Sequence, residues 1–154
     1  MSEAPLILLV EDDENDAELA LRALSKAGLA GRVARARDGE EALEFLFGGG
    51  ALGVPPAAAG LRVVLLDLKL PKVDGLQVLR RMRADGRTER IPVVVLTSSM
   101  LPADVEACWK AGATSYVIKP VEFAVHARAI QGVARYWTEL NVAPAAGVVP
   151  QAEP

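Results

Sequence analysis

The chain has 154 residues, 51% hydrophobic and 24% charged, with 17 Lys and Arg against 20 Asp and Glu and a net charge of −3. That length suits one domain with a substantial core, and the composition excludes both a disordered chain and a dedicated nucleic-acid binder, which needs a basic face. One Cys excludes an intrachain disulfide and favours a reducing compartment, and no apolar run approaches the roughly 20 residues that cross a bilayer. The Met-Ser-Glu-Ala-Pro start lacks the marks of a signal peptide, so a soluble, cytoplasmic protein is expected.

Along the chain, short unalternated apolar runs rich in β-branched residues predict buried parallel strands: LILLV at 6–10, VVLL at 63–66, VVVL at 93–96 and YVI at 116–118. RVARA at 32–36 is a weaker fifth. Between the runs the period turns helical. Ala17, Ala20, Leu21 and Leu24 define the first helix, Gly75, Val78, Leu79 and Met82 a later one, and Val105, Cys108 and Trp109 a shorter one. Phe123, Ala127, Ile130, Ala134 and Trp137 mark one face of a long final helix. Strand then helix, five times over, means an α/β fold with right-handed crossovers and helices on both faces. GGGALGVPPAAAG at 48–60 follows a helix and not a strand, so it is expected as a loop and not as a phosphate cradle. The Pro/Ala-rich segment from 141 to 154 is expected as a mobile tail.

In open parallel sheets ligands bind at the carboxyl ends of the strands, and here those ends carry charge. The first strand runs into Glu11-Asp12-Asp13, the third into Asp67, the fourth ends at Thr97-Ser98-Ser99, and the fifth at Lys119-Pro120. Two like charges about 4 Å apart repel by roughly 4 kcal/mol at an effective dielectric of about 20. Glu11, Asp12 and Asp67 therefore call for a cation, and Mg²⁺ suits an oxygen site that awaits a phosphate. Three carboxylates, Mg²⁺ and Lys119 sum to zero charge. No Cys or His stands at these ends, which leaves Asp67 as the candidate nucleophile for an acyl phosphate. Taken singly, each residue also has a plain structural use. Asp13 or Asn15 can cap a helix, Glu14 and Asp16 can favour its dipole, Thr97 can end a strand, and Tyr116 can simply pack. His126, Cys108, Trp109 and the cluster Arg80, Arg81, Arg83, Arg87 and Arg90 are expected to be helix packing or solvated surface.

LILLVEDDENDAE, VVLLDLKLPKVDG, IPVVVLTSS and YVIKP, in this order and spacing, resemble the receiver domain of two-component response regulators over residues 5–140. The resemblance implies a flavodoxin-like five-stranded parallel sheet of order 2-1-3-4-5. It implies that Asp67 accepts a phosphoryl group from a sensor histidine kinase. Asp12 and Asp67, Glu11 through water, and the backbone carbonyl of Lys69 would hold Mg²⁺. Thr97 and Lys119 would bind the phosphoryl oxygens, Tyr116 would be the aromatic switch that follows Thr97, and the Lys119–Pro120 bond would be cis. Lys69 and Ser99 would flank the path of the hydrolytic water, with Lys69 prolonging the phosphorylated lifetime. The domain standing alone, its long loop and the ARYWTEL ending resemble the single-domain regulators that partner bacterial phytochromes. Val133, Trp137 and Leu140 form a second apolar stripe on the last helix, from which a homodimer is expected. Three other classes fit less well. A haloacid-dehalogenase-type phosphohydrolase needs Asp-x-Asp where this chain has Lys69, a dinucleotide binder needs glycines where Glu11-Asp12-Asp13 stand, and a receiver that binds partners unphosphorylated would not need the full set of residues present.

Overall fold

The computed structural model describes residues 4–48 and 57–144. The strands are β1 (Ile7–Val10), β2 (Val33–Ala36), β3 (Val63–Leu66), β4 (Val93–Thr97) and β5 (Ser115–Ile118). The helices are α1 (Glu14–Leu24), α2 (Gly39–Phe47), α3 (Gly75–Arg83), α4 (Pro102–Ala111) and α5 (Phe123–Arg135). All strand pairs are parallel and the order is β2-β1-β3-β4-β5, as the sequence pattern and the resemblance predict. Most of the expected loop over 48–60, and residues 145–154 of the expected tail, lie outside the described residues; Ala57–Gly60 forms one 3₁₀ turn.

The unalternated strands are covered on both faces. Leu8, Val10, Val64, Leu66, Val93 and Val95 pack with Ala42, Leu46, Val78, Leu79, Met82 and Cys108 of α2, α3 and α4. Ile7, Leu9, Val63, Leu65, Val94 and Leu96 pack with Ala20, Leu24, Ile130 and Ala134 of α1 and α5. The central strands thus have fixed backbones, which matters because their ends carry the charged residues. Helices α1, α2 and α3 each begin on an aspartate whose carboxylate accepts the N–H three residues on: Asp13 from Asp16, Asp38 from Glu41, Asp74 from Gln77. Asp13, not Asn15, caps α1.

Periodicity misleads at the helix edges. Phe123 and Trp109, expected on packed faces, are 73% and 52% exposed, because Phe123 opens α5 at the sheet's carboxyl edge and Trp109 lies beside the α4 stripe that Cys108 buries. His126 is buried on α5.

Candidate functional site

The sheet ladder extends past the strands and places the charged residues side by side. Asp67 N donates to the Val10 carbonyl at 3.1 Å, Glu11 N to the Ala36 carbonyl at 3.0 Å, and Lys119 N to the Thr97 carbonyl at 2.8 Å. Backbone hydrogen bonds therefore set the starting point of each functional side chain. Gly75, the first residue of α3, packs directly over Asp67: a Cβ there would lie 2.1 Å from the Asp67 carbonyl oxygen. Only a residue without a side chain lets α3 approach the strand end this closely.

Lys119 Nζ sits among carboxylates. It donates to Glu11 Oε1 at 2.6 Å, Asp67 Oδ2 at 3.0 Å and Asp16 Oδ2 at 3.0 Å, with Glu11 and Asp67 buried and Asp16 half-buried. One carboxylate oxygen from each of Glu11, Asp12 and Asp67 lies within 4.8 Å of the others. This hard-oxygen set could hold a divalent cation. Glu11, Asp12, Asp67 and Lys119 thus come together as the sequence predicts. Asp16 is the residue that sequence reasoning missed as a site member. Its place in the first turn of α1 was explained by the helix dipole alone, and nothing local points to a lysine 103 residues away. With Asp16 counted, the cluster holds four carboxylates, three of them on the Lys119 ammonium; fully ionised and with a divalent cation it would sum to −1 and not to zero.

Burial, reinforced by the charge of Asp67, pushes the Glu11 carboxyl up to about 7 even though the Lys119 hydrogen bond opposes the shift. Burial acts on Lys119 in the opposite sense, but the hydrogen bonds to Glu11 and Asp16 and the charge of Asp67 outweigh it and hold the ammonium above its ordinary pKa. Arg35 on β2 braces the acidic turn. Its guanidinium donates twice to the Glu11 carbonyl, at 3.0 and 3.3 Å, and twice to the Glu14 carboxylate, at 3.0 Å each. That pairing lowers the Glu14 pKa.

Thr97 is buried, and its Oγ1 accepts the Ser99 N–H at 3.4 Å. The Tyr116 hydroxyl donates to the Ser99 carbonyl at 2.9 Å while its half-buried ring packs against the α3–α4 side of the core. Ser99 donates its hydroxyl to Asp104. Lys69 is exposed, and its N–H donates to Asp67 Oδ1 at 3.4 Å. The Lys119–Pro120 bond is trans, contrary to the expectation from the resemblance: no cis peptide occurs among the described residues. The trans form is the favoured one for an X–Pro bond, and the strand hydrogen bond and three carboxylates already direct the Lys119 stem. Val133 and Trp137 pack partly buried against the α1–α5 core, so of the expected second stripe only Leu140, 72% exposed, faces fully outward.

The model of the response regulator receiver domain matches residues 7–131. The chain belongs to this family. Among curated relatives, the probable methanogenesis regulatory protein FilR2 of Methanothrix harundinacea is 40% identical over 141 residues, covering 90% of this chain and 87% of its own. Response regulator Rcp1 of Synechocystis sp. is 35% identical over 141 residues, covering 92% and 94%. The Mn²⁺-bound crystal structure of Rcp1 superposes with a TM-score of 0.79, covering 90% of this receiver and 98% of that chain. That of the phosphorylated cyanobacterial phytochrome response regulator RcpA superposes with a TM-score of 0.80 at 31% identity, covering 90% and 96%. This receiver is therefore a response regulator domain of the two-component type, similar to phytochrome-associated regulators. Among the described residues no helix is long and apolar enough to cross a membrane.

Proposed function

We propose that this receiver accepts a phosphoryl group on Asp67 from the phosphohistidine of a sensor histidine kinase, in a Mg²⁺-dependent reaction, and signals in the cytoplasm through phosphorylation-dependent protein contacts. The observation that carries the proposal is the Asp67 carboxylate, buried at the end of a central strand, 3.0 Å from the Lys119 ammonium and within reach of Glu11 and Asp12. An Asp67 oxygen forms the new O–P bond while the donor P–N bond breaks and the imidazole keeps the electron pair. Lys119 then meets phosphoryl charge where it met the Asp67 carboxylate, and the Thr97 hydroxyl donates to a second phosphoryl oxygen. Glu11, Asp12, Asp67 and the Lys69 carbonyl would hold Mg²⁺, which when bound neutralises charge on the transferred group. Water later cleaves the acyl phosphate to regenerate Asp67 and release inorganic phosphate. This is self-modification and not turnover of an external substrate.

Incubation with acetyl phosphate and Mg²⁺, read by intact mass, should give one phosphoryl adduct that is absent in Asp67→Asn and without Mg²⁺. No adduct on the wild type would overturn the proposal. The partner is a phytochrome-type sensor kinase, a reading supported by the likeness to RcpA. Phosphotransfer from such a kinase at a rate no higher than from unrelated kinases would exclude that pairing. A homodimer through α5 and the segment following it is supported by Leu140 and Val142, which are 72% and 91% exposed near the partly buried Val133 and Trp137. Leu140→Glu tests it better than Trp137→Glu, since Trp137 also packs against its own core; sedimentation as a monomer by the wild type at micromolar concentrations would remove the dimer.

A further inference from the structure

The Thr97 hydroxyl must present its hydrogen to the Asp67 side, yet its one partner among the described residues, the Ser99 N–H, lies at 3.4 Å. That contact is too long to fix a rotor by its own strength. A hydroxyl offers one hydrogen and two lone pairs, so with Ser99 on a lone pair the hydrogen stays free. How well that weak contact orients the Thr97 hydroxyl then depends on how firmly Ser99 itself is held.

Ser99 is buried and held at every polar atom. Its carbonyl accepts the Tyr116 hydroxyl at 2.9 Å, its Oγ accepts the Leu101 N–H at 3.3 Å, and its hydroxyl hydrogen goes to Asp104 Oδ2. Asp104 stands in the first turn of α4, which starts on Leu101 without a side-chain cap. Among the described residues the loop between β4 and α4 is thus tied to the helix by the Ser99–Asp104 side-chain pair, and the hydroxyls of both Thr97 and Tyr116 bond the residue so tied.

We propose that Asp104 is a positioning residue for phosphoryl acceptance: through its hydrogen bond to Ser99 it fixes the loop that aims the Thr97 hydroxyl and receives Tyr116. It touches neither the phosphoryl group nor the cation. The inference rests on Asp67 being the phosphoacceptor.

The alternative use of Asp104, as a charge at the α4 N-terminus, makes a different prediction. Asparagine keeps an oxygen for the Ser99 hydroxyl and loses the charge; alanine loses both. Initial rates of adduct formation from acetyl phosphate at fixed Mg²⁺ should fall about five- to tenfold in Asp104→Ala and in Ser99→Ala, the size of one net hydrogen bond. Asp104→Asn should restore most of the rate. The Ser99→Ala/Asp104→Ala double variant should be no slower than the slower single, because both remove the same contact. Asp104→Asn as slow as Asp104→Ala, singles within twofold of wild type, or losses that multiply in the double variant would each overturn the inference. Ser99→Ala removes one atom and keeps the test open if Asp104→Ala folds poorly. A wild type that takes no phosphoryl group overturns the phosphoacceptor assignment itself, whereas a phosphorylated wild type with unaffected variants overturns the role of Asp104 alone.

Discussion

Gly75→Ala tests whether the packing of α3 onto β3 sets the position of Asp67, the proposed phosphoacceptor. The added methyl would lie 2.1 Å from the Asp67 carbonyl oxygen, 2.9 Å from Leu68 Cα and 3.0 Å from the Asp67 carbonyl carbon. Ordinary contact lies well beyond 3 Å, so about 1 Å must be found by moving α3 or the Asp67–Leu68 segment. Neither is loose. Val78, Leu79 and Met82 are fully buried, and the segment is held by Asp67 N on the Val10 carbonyl at 3.1 Å and Gly75 N on the Leu68 carbonyl at 2.9 Å. The strain is shared, which implies a stability loss of roughly 1–3 kcal/mol for overpacking. The part of that shift that reaches the Asp67 carboxylate should also slow phosphorylation, by up to about 100-fold were it to take the full displacement of about 1 Å. Urea unfolding reads the first quantity and acetyl phosphate kinetics by intact mass the second. Gly132→Ala on α5 is the control: nothing lies within 4 Å of its added methyl, so it should gain about 0.5–1 kcal/mol from helix propensity and leave the rate unchanged. A Gly75→Ala protein with wild-type midpoint and wild-type rate would refute the reasoning.

Three further outcomes follow from single side chains. Asp16→Asn removes one of the three carboxylates on Lys119 and should weaken Mg²⁺ binding several-fold, as expected for one half-exposed charge; an unchanged affinity by calorimetry would show that Asp16 lies outside the site's field. His126 has its pKa lowered, by burial first, and its Nε2 has no hydrogen-bond partner among the described residues, so the folded state prefers the neutral ring. The unfolded chain then binds the extra proton below about pH 6.5, and the stability that His126 contributes is present above that pH and lost as pH falls, at up to about 1.4 kcal/mol per unit. Glu11 drifts the other way in the same window, because its raised pKa makes the folded state the better proton binder. The difference between wild type and His126→Phe in urea midpoints at pH 7.5 and 5.5 isolates the histidine: the variant should gain relative to wild type at the lower pH, and a constant difference counts against it. Lys69→Asn should shorten the lifetime of the phosphorylated form, since an exposed lysine two residues from Asp67 can shield or neutralise the phosphoryl group; equal decay half-lives would remove that role.

The parts of this molecule legible in sequence are those in which local pattern and tertiary role coincide. A buried parallel strand must be apolar on both faces, so a charge directly after LILLV or VVLL can stand only at a sheet edge, and the strand order then brings Glu11, Asp12, Asp67 and Lys119 together. Asp13 follows the same logic as a cap. Illegible were the contacts whose residues already had a sufficient local explanation. Asp16 fits the dipole of α1, Arg35 fits an exposed position on an edge strand, and Asp104 fits the first turn of α4. Each nevertheless bonds a group far away in sequence or across a turn: Lys119, the Glu11 carbonyl and the Ser99 hydroxyl. The contrast has an energetic root. The core and the caps are each stabilised by their own elements, whereas the carboxylates at the strand ends and Asp16 beside them repel and are tolerable only with cations brought from elsewhere. Lys119 from β5 supplies one charge and Arg35 from β2 steadies the acidic turn from outside. The deficit that remains makes the edge receptive to a divalent ion, and its rigidity comes from neighbours no single stretch of sequence announces.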